Sequence, residues 1–169
     1  AIDMYGDKKV TTTASQAYDW MMQTFESPNT LVDRAGAALK TLAAQTEVNA
    51  EKLAAIGFCY GGKVVLDLAR SNAPLKAVAT FHANLSTQHP AQQGQFQAEV
   101  LVSHGEIDSM VSLEDVENFK QEMTHAKVPH QVLIFKNAKH GFSNPRADER
   151  AKANNVDLGY NAEAEKQSL

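Results

Sequence analysis

Four short apolar runs from residue 53 onward have the length and continuity of buried β-strands. They are LAAIGF, KAVATF, EVLVSH and HQVLIF, at residues 53–58, 76–81, 99–104 and 130–135. None of them alternates cleanly between apolar and polar positions. Continuous apolar runs of this length are typical of strands that are buried on both faces of a parallel sheet, so the pattern predicts four such strands.

Apolar residues at helical spacing lie before and between these runs. The stripes cover four segments: residues 14–25, 31–45, 63–71 and 113–126. Pro28 and Asn29 predict a turn between the first two helices, and Ser112 is well placed as the N-cap of the last one. The tail from Ala147 is polar, with an amphipathic pattern near YNAEAEKQSL. Strands that alternate with helices predict an α/β fold, a three-layer sandwich around a mostly parallel sheet.

Composition and charge exclude several classes of function. The 169 residues are 43% hydrophobic and 21% charged, with a formal net charge of -4, so we expect one globular domain over residues 1–169 and no surface for nucleic acid. No apolar run approaches the roughly 18 residues of a membrane span, so we expect no membrane association. A single cysteine forms no internal disulfide, and the first residues do not resemble a signal peptide, which predicts a cytoplasmic location.

Cys59, the one cysteine of the chain, lies in the stretch IGFCYGGKVV at residues 56–65. A predicted strand ends just before it and a predicted helix follows, so Cys59 occupies a tight turn. The pattern G-x-C-x-G has the layout of a nucleophile elbow. We expect Gly57 and Gly61 to be required because side chains there would keep the strand and the helix apart, and Gly62 completes this glycine frame.

Two features of the turn favour a reactive thiol. The dipole of the following helix stabilises a thiolate at its N-terminus, and the backbone N–H of Tyr60 points to where a substrate oxyanion would form. A lone cysteine is more commonly a buried structural residue, but the glycines on both sides of Cys59 favour a nucleophile. A phosphate-binding turn is disfavoured because Val64, rather than Ser or Thr, follows Lys63.

A thiol nucleophile needs a base and an acid, and candidates for both follow predicted strands. Asp108 comes shortly after the third run and His140 shortly after the fourth. Because functional groups gather at the carboxyl ends of parallel strands, we expect Cys59, His140 and Asp108 to meet there, in the chain order nucleophile, acid, base. Glu106 is the nearest alternative acid. The other histidines are weaker candidates for the base: His82, His89, His104, His125 and His130.

Several motifs together resemble the dienelactone hydrolase family of the α/β-hydrolase superfamily. They are GFCYGGKVVLDLA, KAVATFHANL, VLVSHGEIDSMV and KHGFSNPRA followed by GYNAEA, and the resemblance runs over nearly the whole chain. It implies a Cys–His–Asp triad, which falls on Cys59, His140 and Asp108. It also implies a small-molecule ester or lactone as substrate, no metal and no organic cofactor.

The amino-terminal part departs from the family pattern. In this superfamily the nucleophile follows the fifth of eight strands, whereas only about 50 residues of mostly helical pattern precede its strand here. We therefore expect a partial domain that lacks the first strands, cut from a longer protein, in keeping with Ala rather than Met at position 1. The missing part would supply the second oxyanion-hole N–H. Its absence would expose a sheet edge that invites pairing with another copy into a homo-oligomer.

The region after His140, the expected base, also differs from the family pattern. The resemblance implies that true dienelactone hydrolases hold a substrate carboxylate with arginines, one of them shortly after the triad histidine. Ser143 and Asn144 occupy that place here, and Arg146 follows slightly later. Arg34 and Arg70 lie on predicted helices, where we expect ordinary surface charges. The expected chemistry is therefore that of an ester or lactone, without a dienelactone as the assigned substrate.

Two functions from different classes stay open at this point. The first is a hydrolase in which His140 deprotonates Cys59, the sulfur attacks an ester or lactone carbonyl, and water resolves the acyl-enzyme. The second is a non-catalytic α/β module that binds a small molecule or a protein in the same cleft. The reactivity of Cys59 toward a thiol reagent distinguishes the two.

Overall fold

A computed structural model describes residues 1–26 and 30–169 of the chain. Its elements are α1 (Ala14–Glu26), α2 (Thr30–Ala43), β1 (Ala54–Phe58), α3 (Tyr60–Arg70), β2 (Ala77–Phe81), β3 (Glu99–Gly105), α4 (Leu113–His125), β4 (His130–Phe135), α5 (Ala147–Asn154) and α6 (Ala162–Ser168). The predicted turn at Pro28 and Asn29 lies outside the described residues. Within the described ranges, none of the helices combines the length and the apolar character that a membrane span needs.

The helices and strands that the apolar pattern predicts agree closely with those of the structure. Each predicted strand is present to within one residue, and each of the four predicted helices to within three. Ser112 caps α4 as expected: its hydroxyl accepts the N–H of Asp115, and the Asp115 carboxylate accepts the N–H of Ser112 in return. The amphipathic end of the tail forms α6, whereas α5 has no sequence prediction to match it.

The four strands form one parallel sheet in the order β1-β2-β3-β4. Phe58 pairs with Phe81, and Phe81 pairs with Ser103 on the next strand. Because all strands run in the same direction and in this register, their carboxyl ends reach one edge of the sheet. The α/β prediction is therefore confirmed, and the loops that leave this edge carry Cys59, Asp108 and His140.

Helices cover the two faces of the sheet unequally. One large hydrophobic cluster packs α3 and α4 against the face that carries Val78, with α2 packed on α3, and a smaller cluster joins Phe81 and Phe142 to Ala164 of α6. Val78 and Phe81 are three positions apart in β2, so their side chains point to opposite faces. The three predicted layers are present, with a thin layer on the α6 side.

The prediction that all four strands are buried on both faces was wrong for the outer two. Ile56 and Phe58 in β1 are 58% and 43% exposed, and Ile134 in β4 is 49% exposed. Both strands are edges of the sheet in the described residues, and α6 covers little of the second face. The expected exposed edge is thus present at β1. Such an edge can pair with another chain, and self-association stays a prediction.

The prediction that Arg70 is an ordinary surface charge was also wrong. Its side chain is 1% exposed, and its guanidinium donates to Asp67, to the carbonyl of Leu85 and through two N–H groups to Glu122. The Glu122 carboxylate also accepts the backbone N–H of Ala91. Arg70 therefore ties α3 to α4 and to the segment that follows β2.

Replacing Arg70 by methionine should lower the free energy of unfolding by about 3–5 kcal/mol, because the largely buried Glu122 would lose its cation. Urea unfolding followed by circular dichroism measures this loss. Arg146 is the control: it forms an equally well-oriented pair with Glu149, but both side chains are 65% exposed, so Arg146→Met should leave the curve unchanged. Equal destabilisation by the two substitutions would contradict a structural role for Arg70.

Candidate active site

Cys59 lies in a sharp turn between β1 and α3. Its backbone has φ 52° and ψ -121°, and a positive φ is uncommon for a residue other than glycine. The Cys59 N–H donates to the carbonyl of Phe81 on the neighbouring strand. Because α3 begins at Tyr60, the thiol stands at the N-terminus of a helix of 11 residues, and the amide of Tyr60 lowers the pKa of the thiol.

Close backbone approach explains two of the three glycines around this turn. A Cβ at Gly57 would lie 2.2 Å from the carbonyl oxygen of Gly61, and a Cβ at Gly62 would lie 2.3 Å from the Cβ of Ala83. The reason given for Gly61 was wrong, since a Cβ there would meet no heavy atom within 4 Å. The backbone of Gly61 fills the space that a side chain at Gly57 would need.

Cys59, His140 and Asp108 meet at the carboxyl edge of the sheet. His140 Nε2 lies 3.1 Å from Cys59 Sγ, and His140 Nδ1 donates to Asp108 Oδ2 at 2.8 Å. The imidazole and the carboxylate are buried, whereas Cys59 is exposed. Two hydrogen bonds thus connect three residues that lie 32 and 81 positions apart along the chain.

The carboxylate of Asp108 is held in place by its own loop. Its Oδ1 accepts the backbone N–H groups of Met110 and Val111 at 2.9 and 3.1 Å, which leaves Oδ2 for His140. The alternative acid, Glu106, is exposed and accepts the N–H of Asn137 instead. The structure therefore places Asp108, and not Glu106, against the imidazole.

The three side chains shift one another's pKa values. Partial loss of hydration raises the pKa of Cys59, but the hydrogen bond and charge of His140 and the amide of Tyr60 outweigh this effect and lower it. Burial lowers the pKa of His140, yet the bonds to Asp108 and Cys59 raise it to about 9. The pKa of Asp108 is lowered, because the bond to His140 outweighs the effect of burial. These directions favour a thiolate, an imidazolium and a carboxylate at neutral pH.

Two other histidines are buried near this edge. His82 lies against His140 with 4.9 Å between the ring centroids, and His104 Nε2 is 3.1 Å from the carbonyl of Val111. His89, an alternative base, is exposed in a loop. The other two alternatives bond to backbone carbonyls beside them: His125 to Gln121 and His130 to Val128.

From its place directly after the second apolar run, His82 was expected to line the same edge, but sequence reasoning gave it no role beyond that of a weaker candidate base. It follows β2 on the edge that carries Cys59, yet only the fold shows that it touches His140. Across residues 1–26 and 30–169, no group of three or more His, Cys, Asp or Glu side chains is arranged to hold a metal ion.

The polar segment from Ala147 onward is hydrogen-bonded to the loop after β3 and to the loop after β4, which carry Asp108 and His140. Asp157 accepts hydrogen bonds from Ser109 Oγ at 2.7 Å and from Lys139 Nζ at 2.6 Å, and these two residues adjoin Asp108 and His140. The carbonyl of His140 accepts the N–H of Gly159. Sequence reasoning missed this contribution because a polar tail has no apolar pattern that predicts where it packs.

Aromatic side chains pack beside the turn that carries Cys59. The guanidinium groups of Arg34 and Arg146 are hydrogen-bonded to other parts of the protein. The Tyr60 ring stacks on Tyr5 with 5.9 Å between centroids, and its hydroxyl pairs with Thr24 Oγ1 at 2.8 Å. Arg146 donates to the carboxylate of Glu149, and Arg34 donates to a backbone carbonyl. Neither guanidinium is hydrogen-bonded to the three residues at the edge.

A parallel sheet with helices on both faces, and a glycine-framed strand-to-helix turn at its carboxyl edge, defines the α/β-hydrolase class. The family model described as dienelactone hydrolase matches residues 1–169. The chain belongs to the dienelactone hydrolase family, a family of hydrolases that act on ester or lactone bonds.

Individual proteins are also similar to the chain, with sequence identities between 30% and 39%. A crystal structure of a dienelactone hydrolase-like promiscuous phosphotriesterase from metagenomic libraries is 39% identical, with a TM-score of 0.88 over 99% of this chain and 69% of that one. An uncharacterized protein of Caenorhabditis elegans is 33% identical over 82% of this chain and 87% of its own length. A carboxymethylenebutenolidase homolog of Xenopus tropicalis is 30% identical over 78% of this chain and 51% of its own length.

Replacing Gly57 or Gly61 of the elbow pattern by alanine should change the free energy of unfolding differently. Gly57→Ala should destabilise the protein by about 1–3 kcal/mol, because the new Cβ overlaps the backbone of Gly61. Gly61→Ala should be neutral or stabilising by up to about 1 kcal/mol, because alanine is the better helix former. Urea unfolding measures both, and a Gly61→Ala variant as unstable as Gly57→Ala would contradict this account of the turn.

Proposed function

We propose that the protein is a cysteine-dependent hydrolase that cleaves an ester or lactone through Cys59, His140 and Asp108 and a covalent acyl-enzyme. One observation carries the proposal: the hydrogen bonds that run from Asp108 through His140 to an exposed sulfur. A structural cysteine needs neither an imidazole at its sulfur nor a positive φ in its backbone, and strain of that kind clusters at functional sites.

Attack begins from the thiolate form of Cys59. The sulfur adds to the carbonyl carbon, and the electron pair of the C=O bond moves onto oxygen. The N–H of Tyr60 donates to this oxyanion, aided by the N-terminal dipole of α3. Removing one donor of this kind costs about 10²–10³ in rate in other enzymes, so this amide is a substantial part of the proposed chemistry.

The leaving group departs with the proton of His140. The imidazolium Nε2–H protonates the departing alkoxide as the C–O bond breaks, which leaves a thioester on Cys59 and a neutral imidazole. His140 then takes a proton from water, the hydroxide adds to the thioester carbonyl, and the thiolate leaves with a carboxylic acid as product. Asp108 holds the Nδ1–H tautomer through every step.

The favoured substrate is an ester or lactone without a carboxylate to be recognised. The guanidinium of Arg146 is paired with Glu149 and that of Arg34 with a backbone carbonyl, and neither is hydrogen-bonded to the three residues of the site. A neutral aryl phosphotriester is a second substrate to assay, because the solved structure that is 39% identical is that of a promiscuous phosphotriesterase. The chain spans 69% of that protein and 51% of the Xenopus homolog, so the activity of the whole protein belongs to this proposal.

Replacing Cys59 by alanine should reduce the hydrolysis of p-nitrophenyl acetate by at least about 10³-fold while the protein stays folded, because no nucleophile would remain. Release of p-nitrophenolate measures the rate, and circular dichroism checks the fold. His125→Ala, an exposed histidine on α4, is the matched control and should keep the parent rate. An alanine variant as fast as the parent would overturn the proposal. A parent thiol that resists iodoacetamide at neutral pH would favour the non-catalytic binding module.

The pH dependence should differ between two kinds of ester. For an alkyl ester, kcat/KM should rise as pH passes the lowered pKa of Cys59, which must be a thiolate. It should fall as pH passes about 9, where His140 loses the proton that the alkoxide requires. For p-nitrophenyl acetate the fall near pH 9 should be absent, since p-nitrophenolate leaves without a proton. Identical basic limbs for the two esters would contradict an acid role for His140.

A further inference from the structure

His82 is the second imidazole of the site, and the proposed steps leave it unused. It is 4% exposed, and its ring meets that of His140 edge-on, with centroids 4.9 Å apart and planes at 61°. The Phe142 ring packs against it at 5.3 Å and 84°. His82 therefore lies between the side chain of His140 and the loop that follows it.

The polar end of His82 is bonded to that same loop. Its Nε2 lies 3.0 Å from the hydroxyl oxygen of Ser143, three residues after His140. The ring thus has two attachments to the loop that carries the proposed base: a ring contact with His140 and a hydrogen bond with Ser143. Any displacement of this loop away from Cys59 would break one of them.

The backbone of His82 is fixed on the other side. Its N–H donates to the carbonyl of Ser103 at 2.8 Å, so the residue is anchored to β3 as well as to the end of β2. Its φ of 40° lies in a region that residues other than glycine rarely adopt. A strained backbone that aims a side chain at the proposed base is a pattern that clusters at functional sites.

Packing alone does not explain a histidine at this position. Within the described residues, His82 Nδ1 is buried and has no hydrogen-bond partner, a situation that destabilises a folded protein. A phenylalanine would keep the ring contacts with His140 and Phe142 and would remove this unpaired nitrogen. The group that only the histidine supplies is Nε2, and its partner is Ser143.

We propose that His82 is a positioning residue that acts through the bond between Nε2 and Ser143 and through its ring contact to keep His140 Nε2 aligned with the Cys59 sulfur. This inference rests on the proposed function, because alignment matters for proton transfer between these two residues. Misplacement of a catalytic group by about 1 Å can cost on the order of 10²-fold in rate.

A neutral ring suits this role. Burial, together with the nearby charge of His140, lowers the pKa of His82 to about 3, although Asp108 opposes the shift. The charged and titratable groups that face it are His140, Asp108 and His104. Since His82 stays uncharged at neutral pH, it contacts the imidazolium of His140 without repelling it.

The test uses His82→Phe, Ser143→Ala and the double variant, with His125→Phe as the matched control. The first variant keeps an aromatic ring and loses Nε2, and the second removes the same bond from the other side. Each should lower kcat/KM for an alkyl ester by about 10–100-fold, because the departing alkoxide needs the proton of a well-placed His140. The double variant should lose no more than either single one, because all three lack the same bond.

A second readout separates positioning from stability. The rate of Cys59 alkylation by iodoacetamide, followed against pH, reports where the thiol ionises. In His82→Phe and Ser143→Ala the midpoint should move up toward the ordinary thiol value of about 8.5, because the imidazolium is no longer held at the sulfur. The control should keep the midpoint of the parent, and thermal unfolding should show that each variant is folded.

The outcomes are distinguishable. A folded His82→Phe variant with the parent's midpoint and rate would overturn the inference; if that variant fails to fold, Ser143→Ala decides in the same way. A parent that hydrolyses no ester but whose low thiol midpoint rises in both variants would refute the hydrolase and keep the positioning role. A parent thiol that titrates like free cysteine would refute the positioning role, since no imidazolium would then be coupled to the sulfur.

Discussion

The hydrogen bond between His140 Nδ1 and Asp108 Oδ2 is the interaction on which the rest of the site depends. Both side chains are buried, and a buried ionised pair is tolerated only when its remaining polar atoms are also bonded. The second oxygen of Asp108 accepts two backbone N–H groups, and His140 Nε2 reaches the sulfur. This bond fixes the tautomer, supports the raised pKa of His140 and thereby keeps a positive charge beside Cys59.

Backbone contacts between the two loops bring these side chains together. The N–H of Ile107 donates to the carbonyl of Ala138, and that of Glu106 donates to Phe135 at the end of β4. A Cβ at Gly105 would lie 2.4 Å from the Ala138 carbonyl oxygen, so the loops after β3 and β4 can approach only because that residue is glycine. The distance from acid to base is therefore set by the main chain, and Asp157 adds a bond to each loop from outside.

The sequence predicts this site well where local pattern and chain direction decide the outcome. Continuous apolar runs locate the strands, and the residues just after them, Cys59, Asp108 and His140, must share one edge because the strands are parallel. Properties that depend on a distant partner were not predictable. The sequence predicts a surface charge at Arg70, because nothing local shows that α4 brings Glu122 to it. The sequence also predicts a steric requirement at Gly61, whereas in the fold it is the Gly61 backbone that fills the space beside Gly57. The role of His82 is visible only beside His140.

Burial keeps the other two histidines at the site neutral, and the pKa of His140 depends on their neutrality. Burial lowers the pKa of both His82 and His104, so neither adds a positive charge beside His140 at neutral pH. A second cation near His140 would lower its pKa and release the proton that keeps the thiolate paired. The hydrogen bonds of Asp108 occupy both of its oxygens, so in the proposed function the sulfur at the N-terminus of α3 is the group that attacks an electrophile.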